Sequence, residues 1–336
     1  MINYSMWAKA LKTIPRISKE EWLELDVISR WLIATRSAVL IMTAISGILG
    51  GLLAYLFSDF NWPRFVVAVI SLTLAHAANN LINDYMDYRK GVDQGNYYRS
   101  LYGPQPLEHG FMTVARHMTY FLVTLGLALA GGLYLFAQTD TGTLYLIAAG
   151  LFFLLFYTWP LKYIALGEPT VLLVWGPLMI GGTYYVVSGG MWSTEVALIG
   201  LTYAIGPTTV LFGKHTDKLA EDRQKKIYTM PVLLGEKASR YTTLAVWVLQ
   251  YVLILAFVFA GVLGWPLLLV LLALPKLADA WKVFSKPRPQ TAPADLPPGV
   301  WPLYLSANAF AYNKRFSLLF LGGLILHVFF VKTGIL

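Results

Sequence analysis

The chain of 336 residues contains no cysteine and has few charged residues. Without cysteine there can be no disulfide, no thiol nucleophile and no Cys-ligated zinc or iron–sulfur site. Charged residues make up 13% of the chain and hydrophobic residues 57%, which is more apolar surface than a globular core requires. The N-terminal segment is charged and lacks the apolar run of a signal peptide, so we expect the N-terminus to stay cytoplasmic.

Long apolar runs between charged or Pro/Gly-rich breaks predict transmembrane helices, because crossing the hydrocarbon core takes roughly 20 apolar residues. The nine predicted spans are 30–57, 63–83, 114–137, 142–160, 168–189, 193–213, 240–262, 265–283 and 316–333. This pattern predicts an all-α, polytopic integral membrane protein. An amphipathic cytoplasmic segment, residues 1–29, would precede a single transmembrane domain, residues 30–336.

With the N-terminus inside, this span count places every lysine and arginine except Arg64 and Lys332 on the cytoplasmic side. That positive-inside bias accounts for the formal charge of +8, so we expect membrane lipid and no nucleic acid as a partner. The C-terminus would lie on the opposite side of the cell membrane. Three long cytoplasmic loops remain, at 83–116, 213–240 and the Pro-rich 284–315, and long loops are often functional.

Two of these loops begin with clusters of acidic residues near the membrane surface. In the first, helical spacing places Asn83 and Asp87 on one face, with Asp84 and Asp93 close by. In the second, Asp217 and Asp222 are five residues apart and would diverge by about 140° on an ideal helix. Either Glu221 therefore joins the metal shell, or the helix has ended or bulged there.

Carboxylate and amide oxygens without a Cys or His cage are typical ligands of Mg²⁺, which bridges carboxylates to substrate phosphates. The predicted metal ligands are Asn83, Asp84, Asp87, Asp93, Asp217, Glu221 and Asp222. Nearby cations suited to phosphate oxygens are Lys90, Arg99 and Arg223. Two such clusters holding Mg²⁺ on a diphosphate leaving group would favour allylic C–O cleavage.

These motifs resemble those of the UbiA superfamily of intramembrane prenyltransferases, and most closely its 1,4-dihydroxy-2-naphthoate polyprenyltransferase branch. The resemblance covers residues 30 to 333, with NDYMDYRKGVD at 83–93 and DRQKKIYTMPVLLGE at 222–236 as its most specific parts. It implies about nine helices around a central cavity, with two cytoplasmic cap loops that carry the acids. The residues for which it implies a catalytic role are Asn83, Asp87, Asp93, Asp217 and Asp222, and it adds Arg36 and Lys162 as diphosphate-binding residues.

The expected function is thus Mg²⁺-dependent transfer of a polyprenyl group from its diphosphate to an aromatic acceptor. The segment 165–189 is similar to the menaquinone branch, which favours 1,4-dihydroxy-2-naphthoate. The alternative acceptors are 4-hydroxybenzoate, homogentisate, a tetrapyrrole and a glycerol phosphate ether lipid. A membrane transporter is the alternative from another class, although the spans carry few acids and show no clear internal repeat.

Overall fold

The computed structural model of the protein describes residues 2–92, 94–95, 98, 103–294, 296–297 and 300–336. Regular structure in these residues is helical, with one isolated parallel bridge between Ile164 and Tyr228. Of the described helices, seven are long and apolar enough to cross a membrane: Ser37–Phe57, Trp62–Arg89, Val114–Ala137, Gly167–Val187, Thr194–Asp217, Glu236–Phe259 and Tyr304–Lys332. The prediction of an all-α, multi-pass membrane protein is confirmed.

The two other predicted spans are helical but less regular. Residues 142–160 correspond to the shorter apolar helix Thr141–Phe156. Residues 265–283 divide into a 3₁₀ helix, Trp265–Ala273, and an α-helix, Leu274–Phe284, that begins next to Pro275. The shorter described elements are the α-helices Tyr4–Lys12, Lys19–Glu24, Val27–Ala34, Leu219–Gln224 and Met230–Leu234 and the 3₁₀ turn Leu161–Tyr163.

The chain divides into two compact units, and the first comprises residues 1–47 and 62–159. Its N-terminal segment folds as three short helices that bury Trp22 and Ile33 together with Leu81 and Phe121 in one apolar core. Asp26 begins the third of these helices by accepting hydrogen bonds from the backbone N–H groups of Ile28 and Ser29, both at 2.9 Å. That helix, Val27–Ala34, leads directly to Arg36.

The second unit comprises residues 48–61 and 160–336. Its interior pairs buried polar groups, as a membrane span requires. The Gln250 amide donates to the Thr202 carbonyl at 3.1 Å and accepts from the Tyr312 hydroxyl at 2.9 Å. Trp247 packs edge-on against Tyr312, with ring centroids 5.2 Å apart. These contacts fix the helix Thr194–Asp217, at whose end the second acidic cluster lies.

The fourth long span, Gly167–Val187, changes its winding where it contains Pro177. A proline lacks the N–H of a regular helix and clashes with the preceding turn, and residues Val174–Gly181 form a π-helix there. At Gly176 this segment approaches the helix Thr194–Asp217 so closely that an added Cβ would lie 2.8 Å from the Gly200 carbonyl carbon. Small residues therefore set the distance between these two spans.

Candidate active site

The first acidic cluster lies on one uninterrupted helix, Trp62–Arg89. Asp84 and Asp87 are buried, and Asn83 is half-buried. One turn earlier, the Asn79 amide donates to the Leu154 carbonyl at 3.0 Å, which ties this face of the helix to the helix Thr141–Phe156. The helical spacing expected from the sequence is therefore present, and Asn83 and Asp87 share a face.

Arg36 is the countercharge of this cluster. Its Nη2 lies 2.7 Å from Asp84 Oδ1 and 3.2 Å from the Asn80 carbonyl oxygen. The backbone of Arg36 has φ 55° and ψ 49°, a left-handed conformation that costs a non-glycine residue energy. The break between the helix Val27–Ala34 and the next helical turn thus turns the guanidinium towards Asp84.

Three further residues predicted for this cluster lie at or beyond the end of the helix. The Lys90 ammonium is exposed and sits 4.7 Å from the centre of the Trp159 ring, a cation–π contact. Asp93 and Arg99 lie outside the described residues. The first unit brings five predicted site residues to the C-terminal end of the helix Trp62–Arg89: Arg36, Asn83, Asp84, Asp87 and Lys90.

The second acidic cluster lies at a helix break. The helix Thr194–Asp217 continues past the predicted span end at 213 and stops at Asp217. Lys218 then departs from helical geometry, with φ −101° and ψ 9°, and the helix Leu219–Gln224 begins. Of the two alternatives left by the five-residue spacing, the structure shows that the helix has ended.

After this break, two carboxylates have buried oxygen atoms that lack a hydrogen-bond partner among the described residues. Lys218 Nζ lies 2.9 Å from Asp222 Oδ1, whereas Asp222 Oδ2 and Glu221 Oε2 are buried without a hydrogen-bond partner among the described residues. Burial raises the pKa of Glu221, and nearby Lys218 and Lys225 oppose that shift. Buried carboxylate oxygens need a proton, a cation or a metal, so each of these oxygens is suited to a cation such as Mg²⁺.

Asp217 has different surroundings from those of Glu221 and Asp222. Its carboxylate is fully buried and accepts hydrogen bonds from Arg288 Nε at 2.9 Å, Leu305 N at 3.0 Å and Ser306 N at 2.9 Å. No group of three His, Asp or Glu side chains within the described ranges is arranged to hold a metal ion. The metal-ligand prediction therefore stays a prediction.

Neither of the two cations predicted for the diphosphate in this unit is fully buried. Lys162 is half-buried on the turn Leu161–Tyr163, which the bridge between Ile164 and Tyr228 links to the chain just after the second cluster. The Arg223 side chain is exposed, and its Nη2 is 3.4 Å from the Val232 carbonyl oxygen. Five predicted site residues belong to the second unit: Asp217, Glu221, Asp222, Lys162 and Arg223.

Two interactions next to the second cluster were not predicted. Glu168 Oε1 lies 2.6 Å from His215 Nδ1, and both side chains are buried. Arg288, the partner of Asp217, comes from the Pro-rich loop. Glu168 and His215 are separated by 47 residues, and Arg288 and Asp217 by 71. An acid such as Glu168 at the start of an apolar helix is a signal in the sequence that a partner is needed.

The sequence is similar to a family profile and to curated proteins of the same family. The profile of the UbiA prenyltransferase family matches residues 41–296. UbiA prenyltransferase domain-containing protein 1 of Homo sapiens is 32% identical over 199 residues, which cover 57% of this chain and 56% of that protein. The chain therefore matches little more than half the length of this curated relative.

Two solved structures share the fold. A UbiA homolog from Aeropyrum pernix K1 in its apo form aligns with a TM-score of 0.66 and 17% identity, over 85% of this chain and 96% of that one. A UbiA homolog from Archaeoglobus fulgidus bound to GPP and Mg²⁺ aligns with a TM-score of 0.56 and 17% identity, over 86% of this chain and 99% of that one. Since the family profile covers most of the sequence, this chain belongs to the UbiA prenyltransferase family.

Proposed function

We propose that this protein is a Mg²⁺-dependent prenyltransferase that moves a polyprenyl group from its diphosphate to an aromatic acceptor. The observation that carries the proposal is the pair of buried carboxylate oxygens on Glu221 and Asp222, which lack a partner among the described residues. Membership of the UbiA prenyltransferase family supports it. The homolog from Archaeoglobus fulgidus, which was solved with GPP and Mg²⁺, supports the same donor class.

The predicted residues would bind the diphosphate in two ways, through Mg²⁺ and by direct contacts to phosphate oxygens. Asn83, Asp84, Asp87 and Asp93 of the first cluster and Glu221 and Asp222 of the second would supply oxygen ligands, whereas Asp217, the seventh predicted ligand, already accepts three hydrogen bonds. Bound to these oxygen ligands, Mg²⁺ would neutralise the charge that develops on the leaving diphosphate. Phosphate oxygens would also be held by Arg36, Lys90, Arg99, Lys162 and Arg223. Among these cations, Arg36 already lies against an acid of the first cluster.

For the acceptor we propose 1,4-dihydroxy-2-naphthoate, as in menaquinone biosynthesis. The support is the segment 165–189, ALGEPTVLLVWGPLMIGGTYYVVSG, which is similar to that branch of the family. In the structure this segment includes Glu168, which pairs with His215 two residues before Asp217. The segment 165–189 is thereby joined to the second acidic cluster within one unit.

The proposed membrane placement follows from the charges. We propose a cell-membrane protein with its N-terminus in the cytoplasm and its C-terminus on the opposite side, in which residues 30–336 act as one prenyltransferase domain after the segment 1–29. The support is that most lysines and arginines lie on one side of the predicted spans. Both acidic clusters lie on that same side.

The test is a transfer reaction with detergent-purified protein, geranylgeranyl diphosphate and a panel of aromatic acceptors, with either Mg²⁺ or EDTA. Mass spectrometry would follow pyrophosphate and prenylated product. We expect product with the naphthoate and Mg²⁺, and a loss of about a hundredfold or more in rate for Asp87→Asn. Asp279→Asn is the matched control, because its carboxylate is 60% exposed and pairs with Lys276.

Each outcome has a distinct meaning. Mg²⁺-dependent product with another acceptor of the panel would keep the transferase proposal and replace the naphthoate. The same rate for Asp87→Asn and Asp279→Asn would remove the first cluster from the reaction. The absence of both pyrophosphate and product with every acceptor, together with no binding of geranylgeranyl diphosphate, would refute the proposal.

A further inference from the structure

The Asp217 carboxylate is the cap of the last membrane helix. The first N–H groups of any α-helix lack partners within the helix and need an acceptor from elsewhere. At the start of Tyr304–Lys332 that acceptor is Asp217, which receives the Leu305 and Ser306 N–H groups on its two oxygens. A carboxylate at this position is also stabilised by the helix dipole. Asp217 therefore already has a structural task.

Arg288 completes the surroundings of Asp217 and connects it to the Pro-rich loop. Besides donating to Asp217, its guanidinium donates through Nη2 to the Pro302 carbonyl at 2.7 Å and lies 4.4 Å from the centre of the Trp301 ring. The Arg288 backbone N–H donates to Glu236 Oε1 at 2.8 Å. One arginine thus ties the end of the helix Thr194–Asp217 to the start of the last span.

A cation bound at Asp217 would lie beside the positive guanidinium of Arg288. Nε is 2.9 Å from Oδ1, so a metal ion on that oxygen would be repelled by Arg288 or would have to displace it. Glu221 and Asp222 present the opposite situation, since each has a buried oxygen without a partner in the described part of the chain. The surroundings of Glu221 and Asp222 therefore favour a bound cation, whereas those of Asp217 do not.

We propose that Asp217 is a positioning residue and not a metal ligand, and that the metal in the second unit is held by Asp222 and Glu221; this rests on the proposed Mg²⁺-dependent function. The helix break at Lys218 explains how Asp217 positions the other two acids. With Asp217 anchored to Arg288 and the last helix, the turn at Lys218 places its ammonium on Asp222 Oδ1. Asp222 Oδ2 and Glu221 Oε2 then remain for the metal.

The experiment compares Asp217→Asn, Asp222→Asn and Arg288→Gln, with Asp279→Asn as the control outside the site. Electron paramagnetic resonance would measure Mn²⁺ binding to the full-length protein in the presence of geranylgeranyl thiolodiphosphate, an analogue that resists cleavage. The rate of pyrophosphate release would give kcat and the KM for geranylgeranyl diphosphate. Thermal unfolding in detergent would report on folding of each variant.

We expect Asp222→Asn to weaken Mn²⁺ binding by at least the roughly tenfold that loss of even a second-shell partner costs. Asp217→Asn and Arg288→Gln keep both metal ligands, so each should weaken Mn²⁺ binding by less than Asp222→Asn does, with a lower kcat, an unchanged KM and a lower unfolding temperature. The double variant should lose less than the sum of the two single losses, because both changes break the contact that the two residues share. Arg288→Lys, which keeps a donor and the charge, should recover part of the kcat that Arg288→Gln loses.

Two results would overturn this inference. If Asp217→Asn weakens Mn²⁺ binding as much as Asp222→Asn does, Asp217 is a ligand, while the proposed function stands because the wild type binds the ion. If the wild type does not bind Mn²⁺ with the analogue, the proposed function fails and this inference fails with it. Should Asp217→Asn not fold, Arg288→Gln decides: Mn²⁺ binding tighter than in the wild type would mean that the guanidinium repels a metal ion held at Asp217, which contradicts the inference.

Discussion

The two acidic clusters differ in how the chain holds its buried acids. In the first, Asn83, Asp84 and Asp87 lie on one continuous helix, and the partner of Asp84 is an arginine from outside that helix. In the second, a helix break separates Asp217 from Asp222, and the two acids have different partners. A continuous helix preserves the spacing of its side chains, whereas a helix break allows neighbouring acids to bind different partners.

The largest effect on stability should come from removing the arginine of the first cluster. Arg36→Ala takes away the partner at 2.7 Å from the buried Asp84 carboxylate. Breaking a buried ion pair on one side typically costs about 3–5 kcal/mol, so we expect a loss near the lower figure, because the Arg36 side chain is 16% exposed. Chemical unfolding in detergent micelles would measure it.

A second variant at the same position separates the ion pair from the backbone. Arg36→Gly removes the same side chain but relieves the left-handed conformation, so it should be about 1 kcal/mol more stable than Arg36→Ala. Arg16→Ala, an exposed arginine of the same unit, is the control. If Arg36→Ala were as stable as Arg16→Ala, the ion pair with Asp84 would not contribute to holding the first cluster.

The same contrast decides how much could be predicted from the sequence. Long apolar runs reveal spans because lipid imposes composition over the whole length of a helix, and the face shared by Asn83 and Asp87 follows from helical spacing. The partners of Asp217 could not be predicted, because Arg288, Leu305 and Ser306 are brought to it by tertiary packing. The five-residue spacing showed that the second cluster was irregular, but not that a break at Lys218 resolves it.

In the second unit, the next largest effect should come from the acid that pairs with histidine. Glu168→Leu removes the acceptor of the buried contact with His215 and also the acceptor 3.4 Å from the Met230 N–H. Leaving buried polar groups without partners costs about 1–3 kcal/mol, so we expect a loss near 2 kcal/mol. The same unfolding measurement applies.

Two comparisons sharpen this prediction. Glu168→Gln keeps an oxygen acceptor at the same place and should lose less stability than Glu168→Leu. Glu24→Leu, at an exposed position of the N-terminal segment, is the matched control for adding a leucine. A loss for Glu168→Leu no greater than for Glu24→Leu would show that the Glu168–His215 contact does not support the second cluster, and the contrast with Arg36 would widen.

The smallest effect should come from Asp26, which supports the first cluster from a distance by capping the helix that leads to Arg36. Asp26→Ala should cost about 1 kcal/mol, the usual loss of a helix cap. Burial by itself raises the pKa of Asp26, but hydrogen bonds from Ser29, Trp7 and Asn3 outweigh it, so the pKa lies below its ordinary value.

The sign of the pH dependence follows from that lowered pKa. An acid whose pKa is lower in the folded state contributes its full stability above its unfolded pKa of about 3.9 and loses it as the pH falls through the folded value. The difference between wild type and Asp26→Ala should therefore be constant from neutral pH to about pH 5 and shrink below about pH 4. Asp26→Asn keeps a cap without a charge, so at neutral pH its stability should fall between those of wild type and Asp26→Ala, and it should remove the pH-dependent part. An equal pH dependence in wild type and Asp26→Asn would mean that another acid of the first unit carries it.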